Sequence, residues 1–430
     1  MDINIILLIG ILIITLLLGM PIVFSLGVSA LFPLLRMGVP LEIIPGKIIE
    51  GMDCFPLLCI PFFIFAGELM GKGKLTQRLL EFATVLVGRI RGGLALANVL
   101  ASMFFGGMTG SAMADTSALG SVEIPMMVKA GYDKEFSTAV TTASACIGPI
   151  IPPSIPVVIY ALAVGNISIG ALFLAGVIPG ILIGISLMIV SYFISVKRNY
   201  PKSTEKITLR RFFVSFKNSI LSLMLPFIII GGIISGIFTP TEAAAIAVLY
   251  AFIVTVIIYQ TVKLSDIPQM LLESGVLTAI VMIIIGTSTI FGWVIAIEQV
   301  GKMVEELLLG FTTNPYIFLM ISNMFLLILG TFLDMNPAIL IFAPLLAPIA
   351  MKLGIDPLHY GELFCINLTV GLITPPLGEI LFVACPIGNV VFEDLCKEIL
   401  PFLLIEIAAL LLVTYLPFTT LYIPKLFGIG

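Results

Sequence analysis

The chain is short of charge. Only 11% of its 430 residues are Asp, Glu, Lys or Arg, against roughly 25% in a soluble domain. With 60% apolar residues and a mean hydropathy of +1.21 it cannot dress a water-facing surface, so soluble, disordered and nucleic-acid-binding classes are excluded. The net charge of −4 is too small to imply a charged partner. There is one histidine, His359, so a zinc-binding HExxH or a Ser-His-Asp triad lacks its raw material. The six cysteines form no CxxC pair and mostly sit inside apolar runs, where they read as small packed hydrophobes. The opening MDINIILLIG has no basic n-region and no small-residue cleavage site follows, so it reads as a first membrane helix rather than a signal peptide.

What is present is a succession of apolar stretches that can cross about 30 Å of hydrocarbon. These are 3–19, 21–37, 54–71, 138–164, 170–196, 218–238, 240–262, 275–297, 362–388 and 399–424. Two more, 92–128 and 314–351, are interrupted near their middles by Gly, Thr, Ser, Asp and Asn. Their halves of about 16–18 residues suit re-entrant hairpins better than full crossings. Basic residues orient the stack: Lys197, Arg198, Lys202, Lys206, Arg210, Arg211 and Lys217 face Glu205 alone, and Lys72, Lys74, Arg78, Arg89 and Arg91 face Glu81. Both segments are expected to be cytoplasmic, which places both termini outside.

The chain also repeats itself. At a constant offset of 223, segment 124–154 matches 347–377 at Pro125/Pro348, Lys129/Lys352, Gly131/Gly354, Asp133/Asp356, Gly148/Gly371, Ile150/Ile373, Pro152/Pro375 and Pro153/Pro376. Gly107/Gly330 extends the match into the interrupted stretches. Each copy has five crossings and one hairpin, and the odd number inverts the second copy. The basic loop 72–91 has an acidic counterpart with Glu298, Glu305 and Glu306 against Lys302, which agrees. The expected fold is an all-α polytopic membrane protein: an inverted-topology repeat with two re-entrant hairpins and two broken helices, a signature of secondary transporters.

Such repeats place their sites at the midplane, where helices break. The breaks here are 104–116 and 146–154 in one copy, 328–338 and 371–378 in the other. Proline has no N–H to give and glycine tolerates non-helical angles, so these stretches should free carbonyls into a cavity. Carbonyls with a Ser or Thr hydroxyl are hard ligands that suit an alkali cation. Two pseudo-symmetric cation sites are therefore expected, each where a hairpin tip meets a broken helix. Half-helices starting after Ser111, Ser154 and Thr374 would turn positive dipole ends toward an anion, which points to a carboxylate substrate. Asp115 and Asp334 are the acids nearest the tips and serve either function or helix capping. Glu123, Glu242 and Glu406 read as interfacial or interhelical partners, and Trp293 and His359 as interfacial packing. Amphipathic segments around Glu42–Asp53 and Lys263–Glu273 could brace a scaffold.

At these motifs the sequence resembles the large membrane subunit of tripartite ATP-independent periplasmic (TRAP) transporters, the dicarboxylate-carrier-type M subunit. The matching segments are GGMTGSAMADTSALGSVEIPMMVKAGYD, GPIIPPSIPVVIYA, LFLAGVIPG, GIFTPTEAAAIAVLYA and GLITPPLG, spread along essentially the whole chain. The resemblance implies elevator-type transport of the ion-transporter-superfamily kind in a bacterial inner membrane, driven by sodium and without another cofactor. It also implies a small four-helix membrane subunit and a periplasmic binding protein that delivers an organic acid, such as a C4-dicarboxylate or sialic acid. Carried onto this chain, the first sodium site would use Gly106, Thr109, Gly148, Ile151 and Pro153, and the second Gly330, Leu333, Gly371, Thr374 and Leu377. Substrate would meet Ser111, Ser154, Asp334, Asn336 and Thr374. The first tip departs from the usual Ser-Gly-Ser by reading Thr109-Gly110-Ser111, and the residues after the second break read Leu377-Gly378-Glu379-Ile380 in place of Val-Gly-Leu-Asn.

The expected transport parts are 92–165 and 311–388; 1–91, 166–217, 218–310 and 389–430 form the scaffold. A stand-alone carboxylate/sodium symporter shares this architecture. An intramembrane aspartyl protease built on Asp115 and Asp334 would need a GxGD signature, which is missing, so no enzyme is expected.

Overall fold

A computed structural model describes residues 3–73, 75–202 and 208–429; Lys74, Glu205 and Lys206 of the basic segments lie outside them. All regular elements among the described residues are helical. The chain opens with α1 (Ile3–Leu17), α2 (Ile22–Arg36), α3 (Ile43–Met52), α4 (Cys59–Lys72) and α5 (Leu75–Val87). The first interrupted stretch becomes α6 (Gly93–Thr109) and α7 (Ala112–Lys129), and the first broken span becomes α8 (Lys134–Ala145) and α9 (Ile155–Val164). Then come α10 (Ile169–Lys197), α11 (Leu209–Ile234), α12 (Pro240–Phe252, prolonged by a π-helical turn), α13 (Ile267–Ile297) and α14 (Val300–Phe311). The second interrupted stretch gives α15 (Pro315–Phe332) and α16 (Met335–Lys352), and the second broken span α17 (Pro357–Gly371) and α18 (Glu379–Gly388). The chain closes with α19 (Phe392–Tyr415) and α20 (Phe418–Leu426).

Each expected span is thus occupied by one helix or one interrupted pair. Seven helical runs among the described residues are long and apolar enough to cross a membrane, and eight if α19 and α20, bent by 59°, count as one. The ten expected spans exceed this because α1 and α2 have 15 residues each and the two broken spans are split. Conversely, α15 and α16 each pass as potential crossings on length and composition, although 18 residues at 1.5 Å give only about 27 Å. The outer amphipathic segment is a separate helix, α3, lying on α13. Its inner counterpart is not separate: a short 3₁₀ turn at Leu264–Asp266 runs straight into the 31-residue α13, which has no proline after Pro268 and keeps Gly275, Gly286 and Gly292 within the helix.

Packing gathers the helices into two groups, which also meet through α5 on α6, α13 on α16 and α4 on α6. In one, α4 lies on α12 and α13, α1 on α2, α2 and α3 on α13, and α11 on α5 and α12. In the other, α6 and α7 pack on α8, α15 and α16 on α17, and α10 and α19 run through the middle against each other and against α8 and α17. The halves interlock crosswise, with α7 against α18 and α16 against α9.

Polar side chains tie the interior of the second group, as expected where apolar contact alone gives no preference over lipid. Asn98 of α6 donates to Thr141 of α8 at 2.6 Å, and Ser102 and Ser144 sit 2.8 Å apart. In the second half Asn367 of α17 donates to Asn323 of α15 at 2.5 Å, and Asn323 to Thr414 of α19 at 2.9 Å. His359 belongs here rather than at an interface: it is buried, with one ring nitrogen 2.8 Å from the Thr420 hydroxyl and the other 3.2 Å from the Thr414 carbonyl. Outward, rows of Ile, Leu and Phe stay exposed, as on α1 at Ile3, Ile6, Ile13, Ile14 and Leu17. For a multi-span protein that is the lipid-facing surface.

Candidate functional site

The first tip is a two-residue link. Gly110, at φ +62°, ends α6 by turning left-handed, and Ser111 starts α7 by accepting the Ala114 N–H. This tip lies against the first break. A Cβ added to Gly106 would stand 2.7 Å from the Gly148 Cα, and one added to Gly110 would stand 2.7 Å from the Pro153 carbonyl oxygen. Only glycines allow the two backbones this close. The structure therefore brings Gly106, Thr109, Gly148 and Pro153 together, with Ile151 beside them packed on Gly180 of α10. Ser154 caps α9 through the Val157 N–H and also donates to the Pro149 carbonyl.

The second junction repeats the approach. A Cβ on Gly330 would stand 3.0 Å from the Gly371 Cα, and one on Gly371 would stand 2.6 Å from the Gly330 Cα. Since Gly148 and Gly371 are 223 apart, the partner of Gly330 in space is Gly106, not Gly107. The register between the two tips is thus 224, and Gly107 instead faces the Pro152 carbonyl and Pro226 of α11. Thr374 folds back to donate to the Val370 carbonyl at 2.8 Å. No half-helix begins there: Pro375 and Pro376 supply no N–H, and α18 starts only at Glu379, after Gly378 at φ +51°. Thr374 therefore offers no helix dipole to an anion.

Both breaks leave carbonyls without donors. Among the described residues, the carbonyls of Gly148, Ile151 and Pro153, and of Leu333, Thr374 and Leu377, accept no hydrogen bond. Within a membrane such groups need a cation, water or a polar ligand. The junctions differ in closure. The first is buried apart from half-buried Ile151 and Ser111, whereas in the second Leu333, Asp334, Asn336 and Thr374 are half-buried and Pro376, Leu377 and Glu379 exposed.

The acids resolve individually. Asp334 caps α16 by accepting the Met335 N–H at 2.7 Å. Asp115 is no cap, since Ser111 holds that position; it accepts the Thr109 hydroxyl instead. Glu242 has no interhelical partner here; it is the exposed N3 member of a capping box with Thr239 on α12. Glu123 and Glu406 are fully buried, with both carboxyl oxygens unpartnered. So is Glu362 of α17, which sequence reasoning missed. Its signal was there, as the first residue of the apolar span 362–388, whose one other charge is Glu379. Asn336 keeps a buried side-chain oxygen without a partner, a free polar group beside the second junction.

The many-helix fold with paired breaks is that of a multi-pass membrane transporter. A YdaH transporter from Alcanivorax borkumensis shares it with a TM-score of 0.59 at 13% identity, over 88% of this chain and 88% of that one. The chain belongs to the family described as "Tripartite ATP-independent periplasmic transporter, DctM component", whose pattern matches residues 9–419. It is 43% identical to the sialic acid TRAP transporter large permease protein SiaM of Vibrio cholerae, over 95% of this chain and 96% of that protein. It is also 40% identical to the C4-dicarboxylate TRAP transporter large permease protein DctM of Pseudomonas aeruginosa, over 94% and 95%. These relatives are transport permeases, not enzymes.

Proposed function

We propose that this protein carries an organic acid across the bacterial inner membrane by sodium-coupled alternating access, receiving it from a periplasmic binding protein and working beside a small four-helix membrane subunit. The observation that carries the reading is the pair of tip–break junctions, each with glycine against glycine and donor-less carbonyls. Sodium would bind at Gly106, Thr109, Gly148, Ile151 and Pro153, and at Gly330, Leu333, Gly371, Thr374 and Leu377. The carboxylate would lie between, at Ser111, Ser154, Asp334, Asn336 and Thr374. The sialic acid and C4-dicarboxylate permeases among its relatives support an acidic solute, and the tripartite family supports the partners.

In this reading the two interrupted stretches are re-entrant hairpins of an inverted repeat, and the basic loops face the cytoplasm with both termini periplasmic. The hairpins and broken helices move as one body, in an elevator motion. Packing favours a larger moving body than 92–165 and 311–388. Arg198, at the end of α10, reaches both Glu398 of α19 at 2.8 Å and Asp133 before α8 at 3.3 Å. The Asn323–Thr414 bond ties α15 to α19. We therefore place α10 and α19 with the moving parts and leave the α1–α5 and α11–α14 helices as scaffold. In proteoliposomes holding all three components, uptake should require both the binding protein and an inward sodium gradient. Uptake that persists in choline would remove the coupling.

A further inference from the structure

The helix that ends in the second junction, α17, carries a glutamate with no counter-charge. None of the Glu362 surface is reachable by solvent, and neither carboxyl oxygen has a partner. No Lys or Arg is among the buried described residues. His359, one turn earlier, is already engaged at both ring nitrogens, by Thr420 and Thr414. What Glu362 does touch is α10 and the first break. A Cβ added to Gly176 of α10 would stand 2.9 Å from the Glu362 Oε1 and 2.3 Å from the Ile150 carbonyl oxygen. The two oxygens thus crowd the same side of one glycine. Among the described residues, that carbonyl accepts no hydrogen bond. Gly361 seats α17 on α9 just as closely, since a Cβ there would stand 2.5 Å from a ring carbon of Tyr160.

We propose that Glu362 is a positioning residue, held as the neutral acid and donating its carboxyl hydrogen to the Ile150 carbonyl. An ionised carboxylate beside a donor-less carbonyl would repel it and bring no donor of its own. A carboxylic acid has one O–H to give, and the carbonyl lacks one. The surroundings offer no other neutralisation. Of the elements packed against α17, α9 contributes buried Tyr160, α19 buried Glu406 and the first break buried Cys146, none of them cationic. The titratable groups of α10, α15, α16 and α20 are exposed. On α17 itself Tyr360 bonds Ser322, and Cys365 is a free thiol. The contact joins opposite halves of the chain, because Ile150 lies in the first break and α17 runs on to Gly371 in the second junction. A second link crosses the same seam, with the Cys146 thiol 3.7 Å from the Thr369 carbonyl. When the first break shifts, α17 and the second junction shift with it, whichever ions or solute use them.

The test compares purified wild type, Glu362→Gln and Glu362→Leu without solute. Infrared spectra in H₂O and D₂O should show a protonated-carboxyl stretch in wild type that loses one component in Glu362→Gln. Hydrogen exchange over residues 146–154, read by mass spectrometry, supplies the second readout. In Glu362→Gln, whose amide still donates, exchange should stay within about twofold of wild type. In Glu362→Leu it should quicken about tenfold, the worth of one buried hydrogen bond. If Glu362→Gln loses no protonated-carboxyl component, the side chain is ionised and held by a cation or water, and the proposal is overturned. Equal exchange in the two variants would overturn it as well. Should either variant fail to fold, Gly176→Ala takes its place, because the new Cβ forces the two oxygens apart. The protonated-carboxyl component should then move to higher frequency and exchange over 146–154 should quicken; absence of either change would equally overturn the proposal.

Discussion

Gly371→Ala places a methyl where the second tip and break touch backbone to backbone. The added Cβ would stand 2.6 Å from the Gly330 Cα and 2.8 Å from its carbonyl carbon, whereas carbon atoms in contact settle about 3.5–4.0 Å apart. The two segments must therefore part by about 1 Å, and no rotamer change can help because both atoms are main chain. Overpacking of this kind costs about 1–3 kcal/mol. Alanine's helical advantage over glycine at the end of α17 offsets up to about 1 kcal/mol, which at its full value leaves roughly 0–2 kcal/mol. If the second cation site forms only when the tip is seated, that penalty reappears as an apparent sodium affinity weaker by up to about 30-fold. The control is Gly301→Ala near the start of α14, where the new Cβ meets only the Leu345 Cδ2, at an ordinary 3.8 Å. Sodium titration of uptake in proteoliposomes, paired with melting in detergent, reads both effects. A Gly371→Ala protein with wild-type melting and wild-type sodium dependence would refute the idea that tip and break form the site together.

Other perturbations test the surrounding structure. Asp334→Ala removes the α16 cap and should cost about 0.5–2 kcal/mol, whereas Asp334→Asn, an equally good cap, should melt like wild type; equal melting of all three would contradict the capping role. Lys352 at the end of α16 meets Glu305 of α14 at 2.6 Å, linking the proposed moving body to its scaffold. Because Lys352 is largely exposed, a double-mutant cycle in melting should give no more than about 1 kcal/mol of coupling, fading in high salt. Burial and its bond to Asp133 push the Tyr200 hydroxyl up to about 12. The folded state thus favours the neutral phenol, a stabilisation present below the ordinary tyrosine range and lost as pH rises from about 10 through 12. Melting should fall across that window, and less steeply in Tyr200→Phe; identical slopes would dismiss the contribution.

The breaks were legible in the sequence because proline and glycine act locally: Pro152-Pro153 and Pro375-Pro376 interrupt helices whatever surrounds them. The same holds for Gly110 and Ser111, which end one helix and cap the next. What required three dimensions was the partner of each group. Gly106 and Gly107 are adjacent and identical in type, so identity matching chose Gly107 for Gly330, and only the contact with Gly148 shows that Gly106 is the counterpart. A half-helix was expected to start after Thr374, but its hydroxyl turns back to Val370 and α18 starts only at Glu379. Asp115 and Asp334 could not be told apart by sequence, since each is the acid nearest its tip. Their roles separate only because Ser111 occupies one cap and Asp334 itself the other.

The most direct test of coupled transport is sodium movement itself. In proteoliposomes containing this protein, its small membrane subunit and the binding protein, ²²Na⁺ entry is followed with no sodium gradient while solute-loaded binding protein is added outside. The account expects solute to drive ²²Na⁺ inward, with a sodium dependence of uptake steeper than hyperbolic because two sites fill. Solute accumulation without any accompanying ²²Na⁺ entry would contradict it.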